Sequence, residues 1–169
     1  MKHIACCSFG KDSLATIILA YLHGEPLDEI VYARVMFDKN RSAEVPEHEE
    51  FINKVAVPTL QYLGYKVTIV ESETTATDCF FRVRCKGADK GKTGGWPIPG
   101  RCDVQRDCKL KTVRRYNQSL GNEEVIQYLG IALDEPERSA TPNLSVKKFN
   151  RTKTLEEIDQ MLTTKEAKG

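Results

Sequence analysis

The sequence contains no apolar run long enough to cross a membrane. Its longest apolar helical pattern, Leu14 to Leu22, is far shorter than the roughly 20 residues that a span requires. The amino terminus also lacks a basic region followed by a cleavable apolar stretch, so we expect no signal peptide and a cytoplasmic location. With 169 residues, 40% of them hydrophobic, the chain has the length of one domain and enough apolar side chains for a core.

The cysteines include no Cys-x-x-Cys pair, and their spacings match no zinc signature. In a cytoplasmic protein, cysteines with this distribution favour structural or incidental roles over disulfides, with a metal or iron–sulfur site as the alternative. We therefore do not expect an iron–sulfur cluster, although the sequence leaves one open. The six are Cys6, Cys7, Cys79, Cys85, Cys102 and Cys108.

The net charge is only +1, which predicts no general affinity for nucleic acid, but the charge is unevenly distributed. Between Arg82 and Arg115, eleven Lys or Arg stand against three Asp, so this basic segment carries +8 and the remainder of the chain −7. Cations concentrated in this way are typical of a site for an anionic ligand. A solvated basic loop and helix surface is the alternative explanation.

Strand patterns alternate with helical patterns along most of the chain. This β-α-β-α-β order with short connections predicts an α/β domain with a parallel sheet covered by helices. Residues 1–140 would form the domain, and 141–169 would be a polar carboxyl-terminal extension with one short helix. Strands are predicted at 3–7, 29–37, 65–71 and 124–133, helices at 12–22, 46–63, 75–84, 106–120 and 154–164, and a mobile loop at 86–100.

The segment Ser8-Phe9-Gly10-Lys11-Asp12-Ser13 joins the first predicted strand to the first helix. Unpaired amides and the dipole at a helix amino terminus attract phosphate, and Gly10 allows a close approach of the backbone. Lys11 adds a positive charge, and the two serines add hydroxyl donors. Neither the Walker A pattern nor Gly-x-Gly-x-x-Gly is present, and an ordinary turn capped by Asp12 remains the alternative.

"SFGKDS" resembles the PP-loop, S-[GIF]-G-[KG]-D-S, of the ATP-pyrophosphatase superfamily. Further stretches, in the same order, resemble the phosphoadenosine phosphosulfate (PAPS) reductase-like family of that superfamily. The resemblance covers roughly residues 1 to 140. The stretches are "MFDKNRSAEVPEHEEFI", "GWPIPGR", "RDCKLKTVRRY" and "GIALDEPERSA".

The resemblance implies a Rossmann-like sheet of the adenine nucleotide alpha hydrolase type, with helices on both faces and an adenine nucleotide at the carboxyl ends of its strands. The phosphates would contact the opening loop, and the adenosine would lie near Phe37 and Asp38. The implied phosphate-binding residues are Ser8, Phe9, Gly10, Lys11, Asp12 and Ser13.

The resemblance also implies an anionic substrate facing the basic segment and the element after the fourth strand. Arg106, Lys109 and Arg138 would contact its phosphate or sulfate, while Asp134 and Glu135 would orient Arg138 or help to hold a magnesium ion. A surface salt bridge between Glu135 and Arg138 is the alternative.

Sulfonucleotide reductases of this family carry a catalytic cysteine near the carboxyl terminus, whereas this sequence has no cysteine after Cys108. The presence of both Lys11 and Asp12 resembles the members that use ATP. We therefore expect cleavage of Mg-ATP to AMP and pyrophosphate with adenylation of an anionic acceptor, either a small anion or a nucleic acid. Lys11, Asp12 and Arg138 would be catalytic.

Two other functions remain open from the sequence. One is sulfur transfer of the PAPS or adenylylsulfate reductase type. The other is a non-catalytic nucleotide-binding subunit, acting as a homodimer or with a partner subunit that completes the site.

Overall fold

The computed structural model describes residues 1–96 and 102–132. In these ranges the strands are β1 (Lys2–Cys6), β2 (Glu29–Arg34), β3 (Lys66–Glu71) and β4 (Val125–Tyr128). They form one parallel sheet in the order β3-β2-β1-β4. A parallel sheet is what the alternation of strand and helix patterns predicts.

The order of the strands reverses at β1. Ala5 of β1 pairs with Ile30 of β2 on one side and with Tyr128 of β4 on the other. The chain therefore builds outward from β1 through β2 to β3 and then returns across the sheet to β4. In open α/β sheets, ligands bind beside such a reversal, at the edge where the strands have their carboxyl ends. We call this edge the carboxyl edge.

One face of the sheet is covered by α1 (Lys11–His23) and by a longer helical rod. The rod consists of α2 (Pro46–Phe51), a π-helical segment (Ile52–Ala56) and α3 (Val57–Tyr62). Pro58 lies in the rod and has no amide to donate to the preceding turn, which explains the wider π-helical turn before it. The core on this face combines Ala5, Cys7, Phe9, Ile30 and Tyr32 with Ile17, Ile52, Ala56 and Leu60.

The opposite face carries a second π-helical segment (Gln105–Leu110) and α5 (Lys111–Ser119). Successive side chains of a strand point to opposite faces, so Glu29 points away from the face that Ile30 occupies. Tyr116 of α5 donates a hydrogen bond of 2.7 Å to Oε1 of Glu29. Helices therefore cover both faces, as expected.

Glu29 is a fully buried carboxylate at the amino-terminal edge of the sheet. Its oxygens lie 2.5 Å from Nζ of Lys2 and 2.8 Å from Nζ of Lys66, and Thr68 also donates to it. Burial opposes ionisation, but the bonds from Lys2, Lys66, Thr68 and Tyr116 outweigh burial and lower the pKa of Glu29 to about 2. An ion cluster thus joins three strands to α5.

The second strand ends at Arg34, three residues earlier than the sequence pattern predicts. The chain folds back on itself beyond Arg34, because Ala43 donates to the carbonyl of Val35 at 2.8 Å and Phe37 donates to that of Arg41 at 2.8 Å. The backbone of residues 35–37 is therefore paired within its own loop. The fourth strand is also shorter than predicted and ends at Tyr128.

Part of the predicted mobile loop is a hydrogen-bonded hairpin. Arg84 donates to the carbonyl of Lys92 at 2.9 Å, and Gly94 donates to that of Arg82 at 2.8 Å. The hairpin follows α4 (Ala76–Phe81) and packs closely on it, since a β-carbon at Gly94 would lie 2.8 Å from the carbonyl oxygen of Cys79. Residues 82–95 thus form a hairpin beside α4.

Within residues 1–96 and 102–132, no helix is long and apolar enough to span a membrane. The predicted extension at 141–169 and its helix lie outside the described residues.

Candidate functional site

The loop from Ser8 to Gly10 lies at the carboxyl edge, beside the reversal of strand order. Phe9 has a φ of 59°, a left-handed conformation that costs a bulky residue about 1–2 kcal/mol. Its ring is buried and packs edge-on against Tyr32, with 5.0 Å between ring centroids. Burial of the ring therefore holds the backbone of this loop in a strained shape.

Ser13 closes the loop from inside the first turn of α1. Its Oγ accepts a hydrogen bond of 3.3 Å from the amide of Ser8 and donates one of 3.0 Å to the carbonyl of Gly10. Gly10 is the N-cap residue, and no side chain caps α1. Asp12 is therefore not the capping residue that the alternative sequence interpretation assumed.

Lys11 and Asp12 present a charged pair at the mouth of the loop. Nζ of Lys11 lies 2.7 Å from Oδ1 of Asp12, and the lysine side chain is 84% exposed. The first backbone bond within the helix is donated by Leu14 to Gly10, so the amides of Asp12 and Ser13 precede it. The site thus combines amides, two hydroxyl groups and an exposed cation, which are the groups that bind phosphate.

A second group of side chains supports this loop and was not identified from the sequence. Nε2 of His48 lies 3.4 Å from the carbonyl oxygen of Phe9, and its Nδ1 lies 2.9 Å from Oε2 of Glu44. Tyr32 donates to the other oxygen of Glu44 at 3.2 Å. The hydrogen bond to Glu44 raises the pKa of His48, although partial burial opposes the charge. The i, i+4 spacing of Glu44 and His48 was visible in the sequence, but their contact with Phe9 was not.

Phe37 and Asp38, which the resemblance places near the adenosine, lie in the loop after β2 at the same edge. Asp38 stabilises its own turn: Oδ1 accepts from the amides of Asn40 and Arg41 at 2.9 Å, and Oδ2 pairs with the Arg41 guanidinium at 2.7 Å. The bond from the Asn40 amide, followed by the Arg41 pair, lowers the pKa of Asp38. The carbonyl of Phe37 accepts from Thr77 at 3.0 Å, so this loop is tied to α4.

Arg106, expected to face a substrate anion, is held by acidic neighbours. Its guanidinium bonds to Asp107 at 2.9 Å and to Asp103 at 2.8 Å. The buried carboxylate of Asp107 also pairs with Arg82 at 2.5 Å and Lys111 at 2.8 Å. Arg106, followed by Lys111 and Arg82, holds the pKa of Asp107 far below its usual range despite burial.

The basic segment is therefore partly neutralised by an internal ion cluster. Lys109 lies on the exposed side of the same π-helical segment and has no ion-pair partner in the described parts of the chain.

The segment after β4 packs against the first turn of α1. A β-carbon at Gly130 would lie 2.6 Å from the carbonyl oxygen of Asp12 and 2.9 Å from the amide of Ser13. Asp134, Glu135 and Arg138, the remaining predicted site residues, lie outside the described residues.

The described cysteines are all free thiols. Burial raises the pKa of Cys6 to about 11 and also raises that of Cys7. Cys6 is the last residue of β1, whereas Cys7 follows the strand and is buried in the core. Cys79 and Cys108 lie 4.0 Å apart in a small core, where burial raises both pKa values. Across residues 1–96 and 102–132, no three His, Cys, Asp or Glu side chains are grouped so as to hold a metal ion.

The chain matches no protein-family model, and no curated protein or solved structure is significantly similar to it.

Proposed function

We propose that this protein binds an adenine nucleotide at the carboxyl edge and cleaves ATP to AMP and pyrophosphate, transferring AMP to an acceptor. The observation that carries the proposal is the position of the Ser8–Ser13 loop. The loop leads into α1 and adjoins the reversal of strand order at β1, and its sequence resembles a PP-loop. The PAPS reductase-like family is therefore our proposed assignment, and the parallel sheet is compatible with it.

In this reaction an acceptor oxygen attacks the α-phosphorus of ATP, the bond to the bridging oxygen breaks, and pyrophosphate leaves with the electron pair. Negative charge builds up on the transferred and leaving phosphates, so cations and amides fixed around them stabilise the transition state. The amides of the first turn of α1 and the exposed ammonium of Lys11 are suited to this role. Asp12 keeps that ammonium at the mouth of the loop in the absence of nucleotide.

Mg²⁺ typically binds with ATP through phosphate oxygens, waters and only one or two carboxylates. The donors described here fit that pattern, since Asp12 supplies a single exposed carboxylate beside the loop. Magnesium would neutralise phosphate charge when bound. Lys11 and the loop amides would position the phosphates.

The alternative of sulfur transfer needs a protein thiolate. The raised pKa values of Cys6, Cys7, Cys79 and Cys108 keep these four thiols protonated near neutral pH. This favours the ATP reaction over a reductase that uses one of those four cysteines.

Calorimetric titration with ATP, followed by a pyrophosphate-release assay, tests the proposal. Lys11→Ala should remove turnover and leave the thermal unfolding temperature unchanged, because the side chain is exposed. Lys54→Ala is the matched control, since Lys54 is also an exposed lysine with an acidic partner, Glu50 at 2.6 Å. Binding without pyrophosphate release, alone or with candidate acceptors, contradicts the catalytic proposal, and absence of ATP binding contradicts the nucleotide site itself.

A further inference from the structure

Four aromatic rings form a contiguous patch on the surface. Phe80 is central: its ring centroid lies 4.8 Å from that of Phe81 and 4.8 Å from that of Trp96. Phe37 stacks on Trp96, with 6.5 Å between the ring centroids and 26° between the planes. Phe81 and Trp96 are 64% and 62% exposed. Exposed rings of this size, joined through a third ring, are the groups that a ligand with flat apolar faces would cover.

Positive charge surrounds this aromatic patch. The guanidinium of Arg41 lies 5.2 Å from the centre of the Phe37 ring. The hairpin that leads to Trp96 carries five basic residues. Arg82 pairs with Asp107 at 2.5 Å, and Arg84 and Lys92 share Asp89 at 3.0 and 3.1 Å. Lys86 and Lys90 have no ion-pair partner in the described parts of the chain. The patch therefore has surplus cations available for an anionic ligand.

A cavity of about 730 Å³ adjoins the patch, between the hairpin and the helical segment that begins near Cys102. Its volume falls within the range of small-molecule sites, roughly 300–1,000 Å³, so it has room for a nucleotide. The lining combines an indole, three cations, thiols and the carboxylates of Asp89 and Asp103. Its members include Trp96, Arg84, Lys86, Cys102 and Arg106.

We propose that the aromatic patch and the cavity bind single-stranded nucleic acid. Aromatic rings that stack on bases, together with cations that follow the phosphate backbone, are the combination that recognises single strands. A duplex keeps its bases stacked on each other and offers no free faces to Phe81 and Trp96. A small inorganic anion would use the cations but not the rings.

The position of Phe37 links this surface to the proposed reaction. Phe37 belongs to the patch and also follows β2 at the carboxyl edge, where the Ser8–Ser13 loop lies. The nucleic acid would therefore be the class of acceptor. That assignment rests on the proposed function, whereas the binding itself does not.

The test measures fluorescence anisotropy of labelled oligothymidylate and oligouridylate of about 20 nucleotides, without ATP. We expect binding of at least one of them that weakens from about 50 mM to about 200 mM salt, because phosphate contacts release counterions. The difference between the two oligomers identifies DNA or RNA as the preferred strand. Quenching of Trp96, the only tryptophan, should accompany binding.

The variants separate stacking from charge. Trp96→Ala and Phe81→Ala should each weaken binding about 10-fold, because each variant loses the ring on which one base stacks. Trp96→Phe should retain much of the affinity. Tyr62→Ala is the matched control, because Tyr62 is a 78% exposed aromatic residue on α3, outside the patch. Circular dichroism and thermal unfolding confirm that each variant is folded.

Three results would overturn the proposal. The first is absence of binding to both oligomers at low salt. The second is equal affinity for a duplex together with no effect of Trp96→Ala or Phe81→Ala. The third is binding of an acidic polypeptide, such as polyglutamate, as tightly as the oligomers, which would assign the surface to an acidic protein partner. Because no ATP is present, failure here and failure of pyrophosphate release are separate results.

Discussion

Gly130 packs directly against the peptide group that joins Asp12 to Ser13. A β-carbon at Gly130 would approach the carbonyl carbon of Asp12 to 2.7 Å and its oxygen to 2.6 Å, which real structures do not tolerate. The backbone after β4 therefore packs tightly against the first turn of α1, although Gly130 and Asp12 are 118 residues apart in the sequence. This contact joins the two sides of the strand-order reversal.

Gly130→Ala should force these segments apart. The atoms it meets belong to the backbone, so overpacking should lower the free energy of unfolding by about 1–3 kcal/mol. Gly10→Ala is the control: its added β-carbon would meet only Oγ of Ser8, at 3.5 Å, and its φ of −75° suits alanine. Urea denaturation of both variants checks the prediction, and equal stability of the two would contradict the contact.

His48 should make the stability of the Phe9 loop depend on pH. Both of its ring nitrogens face oxygens that accept, Oε2 of Glu44 and the carbonyl of Phe9, so only the protonated ring can donate to both. The pKa of His48 in the folded state is raised above its value in the unfolded state. The extra stability is therefore fully present at pH values below the unfolded-state pKa, and it is lost as the pH rises through the folded-state pKa.

His48→Gln should flatten the dependence of unfolding free energy on pH over this range. His23→Gln is the control, because His23 lies at the exposed end of α1. A pH profile that is unchanged by His48→Gln and altered by His23→Gln would contradict the assignment.

Asp107 should be the residue on which the structure of the basic segment depends. Asp107→Asn removes the charge shared by Arg82, Arg106 and Lys111 and should lower the free energy of unfolding by about 2–3 kcal/mol. Asp103→Asn should cost under about 1 kcal/mol, since Asp103 is a partly exposed partner of the same arginines. Guanidinium denaturation distinguishes the two, and similar losses would argue against a central role for Asp107.

Glu29 should contribute to acid unfolding. Its pKa of about 2 lies below the ordinary value of 4.5, so its stabilising effect is complete above the unfolded-state value and disappears as pH falls towards 2. The shift corresponds to about 3 kcal/mol of stability at neutral pH. Glu29→Gln should remove much of the loss between neutral and acidic pH, measured by thermal unfolding.

Glu71→Gln serves as the control for Glu29, because Glu71 is also on a strand and pairs with Arg34 at 3.2 Å, but is exposed. We expect Glu71→Gln to leave unchanged the loss of thermal stability between neutral and acidic pH. An acid profile that is the same in wild type and Glu29→Gln would show that the buried cluster is not linked to pH.

The sequence predicts the elements well where one local pattern decides the conformation. Gly24 ends α1 with a φ of 65°, and Gly64 follows the helical rod with a φ of 89°, as their positions after apolar helical patterns indicate. The end of β2 is predicted wrongly because Val35 to Phe37 have side chains typical of a strand. In the structure, the backbone of Val35 and Phe37 instead forms hydrogen bonds with Ala43 and Arg41.

The candidate site can be predicted only in part from the sequence, because local patterns do not show which distant residues come into contact. Ser8 to Ser13 are contiguous and can be identified as a loop at a helix start. The bond from His48 to Phe9 spans 39 residues and that from Arg82 to Asp107 spans 25, and no local spacing signals either. Such pairs are chosen by the tertiary fold, in which separate loops meet at one edge of the sheet.

The central position of β1 has a consequence for how the chain acquires its structure. Lys2 to Ala5 pair with Val125 to Tyr128, so β1 is synthesised long before the strand that pairs with it on this side. Contacts this distant along the chain slow folding, and a nascent or truncated chain that ends before residue 125 would expose the unpaired edge of an otherwise buried strand. Ile4 and Ala5 would then be open to association with other chains, so we expect a chain that includes β1 to require β4 in order to fold without aggregating.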